Sequence, residues 1–131
     1  MIDHISISVS DLERSARFYE ATLAPLGLAK LVMRPATVGF GKRYPEFWIN
    51  LRPGVTPVAA ESGSHICLRA KSESEIDAFH EAALGAGGSS DGAPGLRPHD
   101  RVRYYAAFIR DPDGNRIEAV TFPAGDVVAP Q

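Results

Sequence analysis

The chain has 131 residues, 44% hydrophobic and 23% charged, with a formal net charge of −2 and a pI near 6.1. Those values fit one compact domain rather than two, and the slight acidity removes the electrostatic case for nucleic acid, leaving a small molecule as the expected partner. No run reaches the roughly 18 to 20 apolar residues that span a bilayer, no basic stretch precedes an apolar one at the N-terminus, and the single cysteine excludes an intrachain disulfide framework; a cytoplasmic, non-membrane protein is expected.

Ile5, Ile7 and Val9 alternate with His4, Ser6 and Ser8, the period of a strand with one buried face. Ser10 followed by Glu13 has the spacing of a capping box, so a helix is expected to begin there. Leu12, Ala16, Tyr19, Leu23 and Leu26 then form one apolar stripe, closed by Pro25 and Gly27. Strand-like runs follow at Ala29 to Met33, Thr37 to Phe40 and Phe47 to Leu51, with a turn from Gly41 to Pro45.

The same order returns 61 residues on, where His65 answers His4. Ile66, Leu68 and Ala70 alternate with His65, Cys67 and Arg69, and Ser72 with Glu75 repeats the capping box. Ile76, Phe79, Ala83 and Leu84 supply a second stripe, which fades into the Gly-rich segment Gly85 to Gly95. Tyr104 to Ile109 and Arg116 to Phe122 read as a hairpin around Asp111, Pro112, Asp113 and Gly114. Two copies at this spacing point to a duplicated βαβββ module and not to a solenoid. The expected organisation is one domain over 1–131: module one over about 1–55, a linker over about 53–63, module two over about 63–123 and a tail at 124–131.

Strand parity places His4 with Ser6 and Ser8, His65 with Cys67 and Arg69, and Glu118 with Val120, each set facing away from the helix-covered side. Two imidazoles and a carboxylate form a donor set suited to one divalent ion, Zn, Fe, Mn, Ni or Co, with open positions for substrate. Each residue alone has an ordinary structural reading. Their equivalent positions in a repeated unit favour the metal. Trp48 and Tyr104 have the parity to line a pocket, and Arg69 to hold a carboxylate. His99 and Asp100 read as loop residues, His80 as a helix-surface residue, and Cys67 as a small core residue.

Four stretches carry a resemblance: DHISISVSD at 3–11, RFY at 17–19 with Leu23 and Gly27, GSHICL at 63–68, and the most specific, FIRDPDGNRIE at 108–118. With them the chain resembles the vicinal oxygen chelate superfamily, which includes glyoxalase I, extradiol dioxygenases and bleomycin-resistance proteins. The resemblance implies an α+β fold, with two βαβββ modules forming a cupped mixed sheet with helices on its outer face, commonly dimeric. It also implies His4, His65 and Glu118 as metal ligands. Glyoxalase I enzymes usually carry a fourth ligand on the last strand of the first module, where this chain offers Trp48 and Asn50. Extradiol enzymes typically place a tyrosine where Phe108 stands. The expectation is therefore a metal-dependent lyase, isomerase or dioxygenase acting on a molecule with adjacent oxygens, its pocket including Trp48, Asn50, Arg69, Tyr104 and Phe108. The rival is a non-catalytic protein that sequesters a small molecule.

Overall fold

Two four-stranded sheets of the same design make up the frame. The computed structural model describes residues 1–124. Strand β1 (Ile5–Val9), helix α1 (Leu12–Leu23), and strands β2 (Ala29–Met33), β3 (Thr37–Gly41) and β4 (Pro45–Leu51) form the first unit. Strand β5 (Ile66–Arg69), helix α2 (Glu73–Gly85), and strands β6 (Ser89–Arg97), β7 (Tyr104–Arg110) and β8 (Arg116–Thr121) form the second. The sheet orders are β1-β4-β3-β2 and β5-β8-β7-β6, with the first pair parallel and the others antiparallel in each. The fold is α+β with two mixed sheets, as the βαβββ pattern predicts.

The helices form for the reasons the periodicity gives, and they pack against the sheets and against one another. Ala16, Tyr19, Leu23 and Leu26 are buried, and so are Phe18 and Thr22 on a second flank of α1. One apolar cluster therefore runs under both sheets, from Val9, Phe40 and Ile49 to Phe79, Ile109 and Ile117. Complete burial of Phe18 and Phe79 stabilises by about 2 to 3 kcal/mol each. No helix among the described residues is long and apolar enough to cross a membrane.

Several expectations need correction. The N-cap of α1 is Asp11, whose carboxylate accepts from the Arg14 amide at 3.0 Å; Ser10 is drawn away by Asp113, which accepts from both its amide and its hydroxyl. Glu13 does not reach back; it pairs with Arg17 one turn on. At Ser72 the cap forms as expected, its hydroxyl accepting from the Glu75 amide at 3.2 Å, but the Glu75 carboxylate reaches back one residue further than the box requires, accepting from the Lys71 amide at 2.9 Å. Leu84 is exposed and drops out of the α2 stripe, and its place on the buried side is taken by His80, whose Nε2 lies 2.8 Å from the Ser90 hydroxyl. Cys67 is exposed rather than in the core. Strand β6 lies in the segment expected to be only Gly-rich loop. It tolerates Pro94 and two register shifts because it is a sheet edge, where a missing donor and a bulge cost little.

The turn between β7 and β8 joins the two units. Asp111 is buried and accepts from the Tyr19 hydroxyl at 2.6 Å, from the Asp113 and Asn115 amides, and from the Asn115 side chain. The Asn115 side chain also donates to the Ser8 carbonyl at 3.0 Å. Burial holds the Asp111 carboxyl above its ordinary range, while the donated hydrogen bonds pull the other way. The same surroundings push the Tyr19 phenol well up, burial first and the Asp111 charge next. Gly114, at φ 87, gives the turn its left-handed residue.

Candidate functional site

On the face away from the helices the two sheets present equivalent positions with different side chains. Ser6 registers with Trp48 in β1 and β4, as Cys67 registers with Glu118 in β5 and β8. One strand further out, Gly39 registers with Trp48 and Phe108 with Glu118. Trp48 thus occupies in the first unit the place of Glu118 in the second.

Glu118 is 2% exposed, which for a carboxylate requires partners. His65 Nε2 donates to Oε1 at 3.0 Å and the Tyr104 hydroxyl donates to Oε2. Desolvation first, and then this hydrogen bond and the Glu118 charge, raise the Tyr104 phenol, so it stays a donor. Partial burial and the same charge push the Cys67 thiol up to about 12, keeping it protonated at neutral pH. The Phe108 ring lies 6.0 Å from that of His65. His99 does come from the loop before β7, but its ring is stacked on Tyr104, 6.0 Å between centroids and 10° between planes. Phe122 meets Tyr104 edge-on and lies under the Arg69 guanidinium at 4.7 Å.

His4 stands apart from this group. Its Nδ1 is 2.7 Å from Asp3 Oδ1, and the side chain is half exposed. It borders two hollows. One, of about 370 Å³, lies between β1 and β5 and is shared by His4, Phe47, His65 and Cys67. The other, of about 280 Å³, is lined by His4, Ser6, Arg34, Thr37, Trp48 and Asn50. Asn50 donates there to Ser6 and accepts from the Thr37 hydroxyl at 2.7 Å.

The fold therefore brings Glu118, His65, Tyr104 and Phe108 together, places Trp48 and Asn50 on the same side in the first unit, and sets Arg69 over Phe122. Among the described residues no three His, Cys, Asp or Glu side chains are gathered closely enough to hold one ion. The donor types nevertheless fit a divalent metal, two imidazoles and a buried carboxylate that already accepts from one of them. Sequence parity missed Arg34 and Arg97, which reach this face from a turn and an irregular edge strand, where alternation carries no signal.

Comparisons with known proteins place this fold among relatives. A family model described as Glyoxalase/Bleomycin resistance protein/Dioxygenase superfamily matches residues 1–119. The structure is similar to that of a glyoxalase/bleomycin resistance protein from Albidiferax ferrireducens, at 35% identity and a TM-score of 0.77, covering 90% of this chain and 96% of that one. A glyoxalase-related enzyme from Fulvimarina pelagi shares the fold at 22% identity and a TM-score of 0.69, covering 98% and 95%. Glyoxalase I from Zea mays does so at 22% and 0.71, over 90% of this chain and 44% of that one. A search of curated proteins gives no match.

Proposed function

The chain belongs to the Glyoxalase/Bleomycin resistance protein/Dioxygenase superfamily, and on that premise we propose that it is a divalent-metal-dependent enzyme acting on a small molecule that presents two adjacent oxygens. His4, His65 and Glu118 are the proposed ligands. The observation that carries the reading is the buried Glu118, joined to His65 at 3.0 Å, with His4 on the rim of the hollow that His65 lines. A carboxylate is seldom buried on an open sheet face unless positive charge or donors compensate it.

A divalent ion, when bound, supplies Lewis acidity there. The chain's own residues do the rest. Tyr104 holds Glu118 in one orientation and keeps its own proton on Oη. Phe108 beside His65, and Trp48 in the adjoining hollow, provide apolar surface for a substrate to lie against. The proposed donor set suits lyase, isomerase and dioxygenase chemistry alike, and Zn, Fe, Mn, Ni and Co all suit the donors. The proposal includes a homodimer, since β2 and β6 are open edges carrying exposed Leu31, Met33 and Leu96.

Metal titration by calorimetry tests the reading. The wild-type chain is expected to bind one equivalent of Zn²⁺ or Mn²⁺, and His65→Ala or Glu118→Ala to weaken it at least about a hundredfold, about 2.7 kcal/mol. Unchanged tight binding in Glu118→Ala would remove the ligand assignment. A protein that binds its small molecule equally well in chelator would be a sequestering protein instead.

A further inference from the structure

Three guanidinium groups lie over aromatic rings on the helix-free face: Arg34 over Trp48 at 5.7 Å, Arg69 over Phe122 at 4.7 Å and Arg97 over Phe108 at 5.6 Å. None has a carboxylate within ion-pair distance among the described residues, whereas Arg14, Arg17, Arg110 and Arg116 all do. An unpaired arginine is common on a surface, and Arg43 and Arg103 are further examples. Arg34 differs from those two in what surrounds it.

Arg97 donates to the Ala93 and Gly95 carbonyls, so part of its fork is used. The Arg34 guanidinium donates to no described residue. It lines the hollow of about 280 Å³ in which no acidic residue takes part, and where Thr37 donates to Asn50 and Asn50 to Ser6. A planar cation with free donors therefore lines a cavity that it shares with an indole ring and with His4. Its central carbon lies over the Trp48 ring, 5.7 Å from the centroid, and its free N–H groups suit bidentate pairing with a carboxylate.

We infer that this hollow takes the carboxylate of a small acid with a planar body: the acid on Arg34, the body along Trp48, the other end towards His4. The substrate class of the site is then anionic. The inference rests on the metal reading above only for where the ligand's reacting end lies.

The test is calorimetry with 3,4-dihydroxybenzoate and 3,4-dihydroxybenzamide, which share a ring and a pair of adjacent oxygens but differ in charge at the distal group. The acid is expected to bind the wild-type protein at least about tenfold more tightly than the amide. Arg34→Gln should bring the ratio near one, and Arg34→Lys, which keeps charge but loses the fork, should restore part of it. Equal binding of the two probes, binding of neither at millimolar concentration, or an unchanged ratio in Arg34→Gln would each overturn the inference. So would a ratio lost in Arg97→Gln in place of Arg34→Gln, since the acid would then sit on the second unit. Repeating the titrations in chelator separates the two proposals: if the acid-to-amide ratio persists while neither affinity depends on metal, the metal reading fails and this one stands.

Discussion

The two units share strand order, strand direction and the register of their parallel pairs, yet one presents a buried carboxylate where the other presents an indole. In the second unit, Glu118 is tied to His65 and Tyr104, and Phe108 stands beside it. In the first, Trp48 lies against Gly39, the equivalent of Phe108, and His4 turns to Asp3 instead of to a strand carboxylate. A duplicated backbone supplies equivalent places without dictating equivalent chemistry. One half can specialise in charge and hydrogen bonding while the other provides a flat surface and a cation. Substitutions at three places probe that division.

The largest effect is expected where the units meet. Asp111→Ala leaves the Tyr19 hydroxyl, the Asn115 side chain and two backbone amides short of an acceptor, and should destabilise by about 3 to 5 kcal/mol in chemical denaturation. Tyr19→Phe removes one donor from the same carboxylate and should cost about 1 to 2 kcal/mol. If Asp111→Ala proved neutral, the units would be held by the apolar cluster and the bonds of Asp113 and Asn115 without it.

A smaller effect is expected inside the first unit. A methyl at Gly39 would stand 2.8 Å from the Pro45 Cβ and 2.9 Å from the Trp48 ring, so Gly39→Ala must displace both and should cost about 1 to 3 kcal/mol. Trp48→Ala in the same chain should recover part of that loss, leaving the Pro45 share. Absence of such coupling in the double-mutant cycle would show that Gly39 is not small on account of Trp48.

The smallest effect separates the helices. His80 is buried on α2, and burial lowers its imidazole below the ordinary value near 6.5, with Asp77 opposing. Between that lowered value and 6.5 the unfolded chain binds more protons than the folded one, so stability present at higher pH is lost as pH falls through this window. His80→Gln should flatten that part of the profile in thermal melts between pH 7.5 and 5.5, an interval chosen to bracket roughly the histidine range. A profile unchanged by the substitution would place the titration elsewhere.

Most of the frame was legible because both helices and most strands bury one face, and burial writes a period into the sequence. Strand β6 was not, since Gly92, Pro94 and Gly95 erase alternation at a tolerant sheet edge. The first cap was misread for a different reason. Ser10 and Asp11 are both good N-caps, and the choice is made by Asp113, 103 residues away. At the site, parity together with duplication brought Glu118 and His65 to one face, and they are bonded. It could not tell that His4 pairs with its neighbour Asp3, nor that Arg34 folds over Trp48, because local side-chain contacts and turns have no period.

The junction at Asp111 also has a consequence in time. Tyr19 is translated 92 residues before the carboxylate that accepts its hydroxyl, and the Ser8 carbonyl 107 residues before its Asn115 donor. While the nascent chain lengthens, those groups have only water, and Phe18 lacks the backbone at Gly88 that later closes over it. The bonds that tie the strand and helix made first to the second unit are thus completed only after the turn before the last strand is made. Until then the first unit exposes apolar surface that the finished protein hides.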